Sequence, residues 1–231
     1  MEAEDKGHRH GNFSNYYHFH PPQNRLQVLE ECGLMAQIRC GLFGFSDKSS
    51  CQGDTETSAE QSHRKKPRID DSLPTDCKDI YYCDLGCNEG DLTMAMASCL
   101  NKCVHNTEQT IKCLGLDVDP ALIQRANDKF SRSNDNHGGE YSEKEEYHTP
   151  VFKACNLCSD LEHNNACLTF FASNNKQQEP KPKQMFSLTS IFSTTMWIHI
   201  HSGDDGLTRF LERACGWTKR YLLIEPQHSG W

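Results

Sequence analysis

Two short stretches of the sequence carry residue types suited to holding a polar ligand. Residues 80–85 form an apolar run, and small or polar residues then follow at every second position: Gly86, Asn88 and Gly90. Such a loop lets the backbone approach a ligand at the start of the next helix, where free N–H groups point outward. A second apolar run, 114–117, ends in Asp117, and an acid there can accept both hydroxyls of a ribose. Together they predict a nucleoside cofactor site.

Other readings of these two stretches remain open at this point. Turns and helix caps also use glycine and asparagine, so the loop alone is a weak signal. A dehydrogenase is a further alternative, but the spacing of Gly86, Asn88 and Gly90 departs from the dinucleotide fingerprint. Asp117 also lies further from the loop than the usual distance of about 20 residues.

Composition limits the class of protein. The chain has 231 residues, of which 36% are hydrophobic, and a formal net charge of -8; its mean hydropathy is -0.73. An RNA partner would therefore have to meet a local basic patch. We find no apolar stretch long enough to span a bilayer and no signal-peptide pattern, so we expect a soluble cytoplasmic protein without a membrane partner. The basic cluster at 63–68 is a candidate nuclear address or RNA contact.

The pattern along the chain predicts three regions. Residues 1–45 form an N-terminal arm with one amphipathic helix at 25–34, which either packs on the core or covers the ligand. Residues 46–79 are polar and read as a flexible insertion. Residues 80–231 form the core.

The core alternates strands and helices. We predict strands at 80–85, 114–117, 151–157, 186–192 and 221–225, and helices at 92–100, 121–130 and 205–217, the last capped by Asp204. This order indicates an α/β fold with a doubly wound, mostly parallel sheet.

Cysteine and histidine are frequent, but their spacing does not favour a metal site. The sequence has 13 cysteines, and several fall at predicted core positions, which favours reduced, buried thiols: Cys83, Cys87 and Cys113. The pair Cys155 and Cys158 has no second pair at zinc-ribbon distance. His199 and His201 would share a face but have no carboxylate at a suitable offset. We expect no bound metal.

Several segments, in order, resemble the bicoid-interacting-protein type RNA methyltransferases: residues 11–17, 84–88, 116–120, 195–199, 203–207 and 225–227. The resemblance implies a Rossmann-like class I methyltransferase that uses S-adenosylmethionine to methylate a 5′-terminal phosphate of RNA. Residues 19–22 (Phe-His-Pro-Pro) resemble most the branch acting on 5′-monophosphate ends of small RNAs, namely precursor microRNAs and histidine tRNA. A monomer is expected.

The resemblance also implies roles for individual residues. The residues expected to hold the cofactor, from its carboxylate to its adenine, are Arg25, Tyr17, Gly86, Cys87, Asn88, Asp117, Asn156 and Leu157, with Phe192 beside the transferred methyl group. Tyr16 and His20 are expected to meet the RNA phosphate and act in catalysis. Members that cap triphosphate ends carry basic residues where this chain has His20 and Met196.

The sequence departs from the family pattern at two places. The acid that usually opens the fourth strand is replaced by Ser187, and the family continues beyond 225–227 with a helix and two antiparallel strands, whereas this chain ends at Trp231. The resemblance therefore implies a truncated chain whose fifth strand is an exposed, aggregation-prone edge.

No acid/base pair is apparent, and the implied reaction needs none. A phosphate monoester has a second pKa of about 6, so its oxygen is already a nucleophile at pH 7. The alternatives are an inactive RNA-binding module with this fold and a methyltransferase acting on a protein or a small molecule.

Overall fold

The structure is a computed structural model that describes residues 16–43, 79–102, 104, 109–131, 149–174 and 184–226. The predicted insertion at 46–79, except for Asp79, lies outside these ranges, as does the basic cluster at 63–68. Residues 11–15 of the arm and Gln227 also lie outside them.

In the described ranges, one sheet contains all five strands: β1 (Asp79–Leu85), β2 (Thr110–Asp117), β3 (Val151–Ala154), β4 (Phe186–Phe192) and β5 (Thr218–Glu225). The strand order is β3-β2-β1-β4-β5, and each neighbouring pair is parallel. The chain therefore runs outward from β1 in one direction and then returns to continue from β4 in the other. This confirms the predicted doubly wound, mostly parallel α/β sheet, which opens a crevice where the strand order reverses.

Helices cover both faces of this sheet. They are α1 (Tyr16–Phe19), α2 (Pro22–Glu31), α3 (Leu34–Phe43), α4 (Asp91–Asn101), α5 (Pro120–Ser131), α6 (Asp160–Asn174) and α7 (Thr195–Trp217). Because successive strand residues point to opposite faces, Ile80 and Tyr82 pack with α2, α3 and α4. Cys83 and Leu85 pack with α6 and α7 on the other face.

The glycine loop joins β1 to α4 through a backbone that favours glycine. Gly86 has a φ of 90° and Gly90 a φ of 81°. A Cβ atom at Gly90 would also lie 2.6 Å from the ring of Phe152, so this position requires glycine for both conformation and space. The loop thereby brings the start of α4 close to the carboxyl end of β1.

The N-terminal arm contains two helices of ten residues, so the prediction of one helix at 25–34 is wrong. α2 ends at Glu31 and α3 begins at Leu34, and between them Gly33 has a φ of 74°. A glycine in the left-handed conformation is a common helix stop. Leu29 is buried in the core, whereas Leu34, the first residue of the next helix, is 38% exposed.

The connection from β3 to β4 also differs from the prediction. β3 ends at Ala154, so the predicted strand at 151–157 is too long, and the 15-residue helix α6 was not predicted. The sequence of α6 is only weakly amphipathic, which explains why its period was missed. Its buried side chains, His163, Cys167, Phe170 and Phe171, lie on one face, but one of them is a histidine, and Leu161 on the same helix is exposed, which weakens the contrast between the faces.

The last helix has two segments, and the first of them was not predicted. α7 runs from Thr195 to Trp217 and is kinked at a non-helical residue, Gly203, with φ 64° and ψ -171°. The helix predicted at 205–217 is the segment that follows this kink, and no capping contact of Asp204 is seen among the described residues. Its Oδ1 instead lies 2.6 Å from His199 Nε2.

The cysteines of the described residues form no disulfide; ten of them are free thiols. Cys83, Cys87 and Cys113 are buried, as predicted. Burial raises the pKa of each of these thiols. They therefore stay protonated at neutral pH and act as small apolar core side chains.

Candidate functional site

A cavity of about 320 Å³ lies at the carboxyl edge of the sheet. Its walls come from the residues that follow β1, β2, β3 and β4, from the arm, and from the first half of α7. Nine of the eleven predicted site residues line it: Tyr16, Tyr17, Arg25, Gly86, Asn88, Asp117, Asn156, Leu157 and Phe192. The volume is near the lower end of the range for small-molecule sites.

Cys87 and His20 do not line the cavity. The Cys87 side chain is fully buried in a cluster with Phe152. The backbone carbonyl oxygen of Cys87 accepts a hydrogen bond from Tyr17 Oη, which lines the cavity, at 3.3 Å. His20 is exposed, and its ring centroid lies 4.9 Å from that of Tyr16. His20 is therefore placed beside the cavity entrance, next to a residue that lines it.

Asp117 closes one wall and organises the glycine loop. Its Oδ2 accepts the Asn88 N–H at 2.9 Å and its Oδ1 accepts the Asp119 N–H at 3.0 Å. The side chain is only 6% exposed, and burial raises the pKa of its carboxyl group, although the backbone N–H groups oppose this. A carboxylate has about four acceptor positions, and those that the backbone does not occupy remain for a ligand.

Asp84 is a second acid in this cavity and was not among the site residues predicted from the sequence. It is 2% exposed, and two hydroxyl groups donate to it, Thr93 Oγ1 at 2.5 Å and Ser190 Oγ at 2.7 Å. Burial raises its pKa from 3.8 to about 6. Its position at the end of an apolar run was visible in the sequence and resembles that of Asp117 on the next strand.

The arm reaches the cavity through Arg25. The guanidinium Nε lies 2.8 Å from Glu225 Oε2 at the end of β5, and Nη2 donates to Tyr16 Oη at 2.7 Å and to Ser193 Oγ at 2.8 Å. The guanidinium also lies 5.9 Å from the centroid of the Phe192 ring. Arg25 thus joins the arm to the ends of β4 and β5.

The opposite end of the cavity follows β3. The Asn156 side chain accepts the Cys158 N–H at 3.0 Å, and Arg213 donates to the carbonyl oxygen of Leu157. These contacts hold the turn after β3 in place. Val118, after β2, is 36% exposed and lines the same end, so this end has apolar surface together with backbone groups, as a purine site requires.

The first half of α7 forms a wall of the cavity that was not predicted from the sequence. Its lining residues are Trp197, Ile198, His201 and Ser202, and Thr194, which directly precedes the helix, lines the cavity beside them. The rings of Trp197 and His201 lie 6.5 Å apart at 23°, as expected for residues four apart on a helix. Met196 does not line the cavity.

Side chains of the types that bind metals are not grouped in the described residues. In the described part of the chain, no group of three or more His, Cys, Asp or Glu side chains could hold an ion. Cys155 is buried, whereas Cys158 lines the cavity with its Sγ 3.1 Å from Ser202 Oγ.

In the part of the chain that the structure describes, no helix combines the length and the apolar character needed to cross a membrane.

Comparison with known proteins confirms the resemblance found in the sequence. Residues 186–230 match the family model described as Bicoid-interacting protein 3 (Bin3). The chain is 28% identical over 233 residues to a Danio rerio protein named pre-miRNA 5′-monophosphate methyltransferase, with 98% of this chain and 69% of the relative covered. A Xenopus laevis protein of the same name is 28% identical over 94% of this chain and 66% of its own length.

A human relative, named RNA 5′-monophosphate methyltransferase, is 27% identical over 94% of this chain and 57% of its own length. The chain thus spans about three fifths to two thirds of these relatives. Among solved structures, a complex of the trans-methyltransferase CalH with SAH covers 64% of this chain and 32% of its own, at 11% identity and a TM-score of 0.39. A TM-score of this size is too low to support an argument about the site.

Proposed function

We propose that this chain is an S-adenosylmethionine-dependent O-methyltransferase that acts on the 5′-monophosphate of RNA. The observation that carries the proposal is the convergence of nine predicted site residues on one cavity at the point where the strand order reverses. The relatives' names support the reaction and the substrate class. An enzyme is favoured over an inactive module because the polar groups expected to hold the cofactor lie together.

The charges of the cavity fit this cofactor. Asp84 is a buried carboxylate that accepts hydrogen bonds from two hydroxyl groups. No basic side chain of the described residues donates a hydrogen bond to it. A cationic ligand such as a sulfonium or an ammonium group would compensate this buried charge. Arg25 at the same end provides a guanidinium for a carboxylate. A ligand with both charges, like an amino acid, therefore suits this end of the cavity.

The remaining contacts suit a nucleoside. Backbone N–H groups hold part of the Asp117 carboxylate, and its remaining acceptor capacity suits the hydroxyls of a ribose. Val118, Leu157 and the turn after β3 can enclose an adenine. When bound, the cofactor supplies a methyl group activated by a sulfonium.

The residues of the chain have to orient the attacking phosphate oxygen. Its second pKa of about 6 makes it anionic at pH 7 without a general base, so the protein contributes alignment rather than proton transfer. Tyr16 lies where the cavity meets the arm and can hold the phosphate. Arg25 is the only Lys or Arg side chain of the described residues that lines the cavity.

This charge distribution favours a monophosphate end. A triphosphate carries about two more negative charges, and burying them beside one guanidinium that already contacts Glu225 would be costly. We therefore expect methyl transfer from labelled cofactor to 5′-monophosphate RNA in preference to 5′-triphosphate RNA of the same sequence, and none to 5′-hydroxyl RNA. Equal or greater labelling of the triphosphate RNA would contradict this specificity.

His20 provides a second test. Because it lies beside Tyr16 and outside the cavity, His20→Ala should lower turnover of monophosphate RNA and leave the affinity for S-adenosylmethionine unchanged. His199→Ala is the control, since His199 is an exposed histidine that does not line the cavity. If both variants behave alike, His20 has no role at the phosphate.

The finer identity of the substrate is part of the proposal. Two relatives are named for precursor microRNA, and we extend the proposal to histidine tRNA from the sequence resemblance. A cytoplasmic location, with nuclear entry through the basic cluster at 63–68, completes it; imaging of a tagged full chain, with and without that cluster, tests it.

A further inference from the structure

Ser193 has an unusual backbone conformation at the mouth of the cavity. It follows β4 directly and has a φ of 55°, in a region of backbone conformation that residues other than Gly and Asn seldom adopt. Its N–H donates to the carbonyl oxygen of Glu225 at 2.9 Å, so the neighbouring strand holds the strained conformation. Such strain persists where the surrounding structure imposes it, commonly at functional sites.

The strain places the Ser193 hydroxyl within a set of donors. Its oxygen accepts Arg25 Nη2 at 2.8 Å and faces the Tyr16 hydroxyl at 3.4 Å. A hydroxyl has two lone pairs and one hydrogen. With both lone pairs turned to these donors, the hydrogen is directed elsewhere, and no group among the described residues is seen to accept it. The cavity, which Ser193 lines, is the direction left.

We propose that Ser193 donates this hydrogen to an oxygen of the RNA 5′-phosphate and thereby helps to determine the specificity for a phosphorylated end. The inference rests on the proposed function and adds a residue to it. The neighbouring guanidinium polarises the hydroxyl, and a hydroxyl polarised in this way is a stronger donor to an anion.

Two anions could meet Ser193, the RNA phosphate and the carboxylate of the cofactor. Arg25 separates them: its Nε contacts Glu225 and its Nη2 contacts the two hydroxyls, while Nη1 takes no part in these contacts. Nη1 thus remains for the carboxylate. The hydroxyls of Ser193 and Tyr16 remain for the phosphate.

The test compares Ser193→Ala with Ser193→Gly. Glycine adopts a φ of 55° without strain, so this variant relieves the backbone and lacks the hydroxyl, whereas alanine keeps the strain and lacks the hydroxyl. Both should lower kcat/KM for 5′-monophosphate RNA by about 10- to 100-fold, as expected for a lost hydrogen bond to a charged group. The affinity for S-adenosylmethionine, measured by calorimetry, should not change. Ser98→Ala, an exposed serine on α4, is the matched control.

Three results would overturn the inference. Wild-type RNA kinetics in Ser193→Gly would show that only the backbone matters. A parallel loss of cofactor affinity in both variants would assign the hydroxyl to the carboxylate. The third concerns RNA binding: with S-adenosylhomocysteine present, the wild type should bind a 5′-phosphorylated oligonucleotide better than its 5′-hydroxyl form, and both variants should lose this difference. Equal binding of the two oligonucleotides by the wild type would exclude the phosphate contact.

The measurement of oligonucleotide binding also separates this inference from the proposed function. If the wild type transfers no methyl group to any RNA but still prefers the phosphorylated oligonucleotide, and Ser193→Gly abolishes that preference, the phosphate contact stands and the proposed reaction fails. If methyl transfer to monophosphate RNA occurs and the Ser193 variants leave it intact, the reaction stands and the contact fails.

Discussion

Replacing Asp84 by asparagine should stabilise the ligand-free protein at neutral pH, although the residue lines the proposed site. The Asp84 carboxylate is buried at the end of β1, and its hydrogen-bond donors are the neutral hydroxyls of Thr93 and Ser190. Burial raises its pKa to about 6. The native state therefore holds an ionised group in an environment that favours the neutral form.

The size of the effect follows from the two pKa values. The difference between about 6 and 3.8 is about two units, which corresponds to about 3 kcal/mol of lost stability when Asp84 is ionised. The native state binds the proton more tightly than the unfolded state, so the penalty is complete above pH 6 and shrinks as the pH falls towards 4. Asparagine has one acceptor oxygen, so one hydroxyl loses its partner at a cost of about 1 kcal/mol. The net gain at pH 7.5 should be about 1 to 2 kcal/mol.

Urea unfolding of the wild type and Asp84→Asn at pH 7.5 and 4.5 measures this difference. The variant should be more stable at pH 7.5, and its advantage should disappear at pH 4.5. Asp79→Asn, on the same strand, is the control of opposite sign. Burial alone would raise the pKa of Asp79, but Lys112 and Thr110 outweigh it and lower that pKa, so this variant should be less stable than the wild type at pH 7.5.

The reasoning is refuted if Asp84→Asn is less stable than the wild type by the same amount at both pH values. That result would mean that the two hydroxyls stabilise the carboxylate more than burial penalises it. The variant should also bind S-adenosylmethionine more weakly, because a buried anion next to a cationic ligand is lost. A gain of stability with a loss of binding is the usual compromise at a functional site.

Three further predictions concern stability and binding. Burial lowers the pKa of His163 to about 4, so the unfolded state binds a proton at a higher pH than the native state does, and stability falls as the pH is lowered from about 6.5 to 4. His163→Leu should make this fall in stability smaller in thermal scans, and an unchanged dependence of stability on pH would contradict the prediction. Gly90→Ala should destabilise the protein by at least about 2 kcal/mol, because Gly90 has a positive φ and an added Cβ would contact Phe152. Gly216→Ala, in a helix with open space around it, should stabilise the protein by about 0.5 kcal/mol in urea unfolding. The prediction is wrong if the two variants change stability in the same direction. Asp117→Asn should weaken S-adenosylmethionine binding by about 1.5 to 3 kcal/mol in calorimetry, and unchanged affinity would remove the ribose role.

The parts of the fold that local patterns determine were predictable. β1, the glycine loop and α4 follow from an apolar run, spaced glycines and a run of helix formers, which act over a few residues. β4 matches its predicted bounds, 186–192, a short segment rich in aromatic and β-branched residues. Nine of the eleven site residues that the family resemblance implied line one cavity, although their individual roles stay predictions.

The errors fall where packing, and not local pattern, decides the structure. α6 is weakly amphipathic, and it is a helix because Phe170 and Phe171 pack against Phe186 and Tyr81 of the sheet. The first half of α7 contains aromatic and β-branched residues that do not favour a helix by themselves. Its burial of Ile198 against the sheet outweighs that preference.

The sequence by itself determined the number and order of the strands along the chain, the glycine loop and the acids that end two strands, since these depend on neighbouring residues, but it did not determine the bounds of every strand. Only the tertiary structure decided that Arg25, Ser193 and Glu225 meet. Arg25 and Ser193 are 168 residues apart, and their contact requires β4 to lie beside β1 and the arm to fold back over the end of β5. The positive φ of Ser193 is likewise imposed by its bond to the next strand. Contacts between distant segments depend on the order of strands in the sheet, which no local pattern specifies.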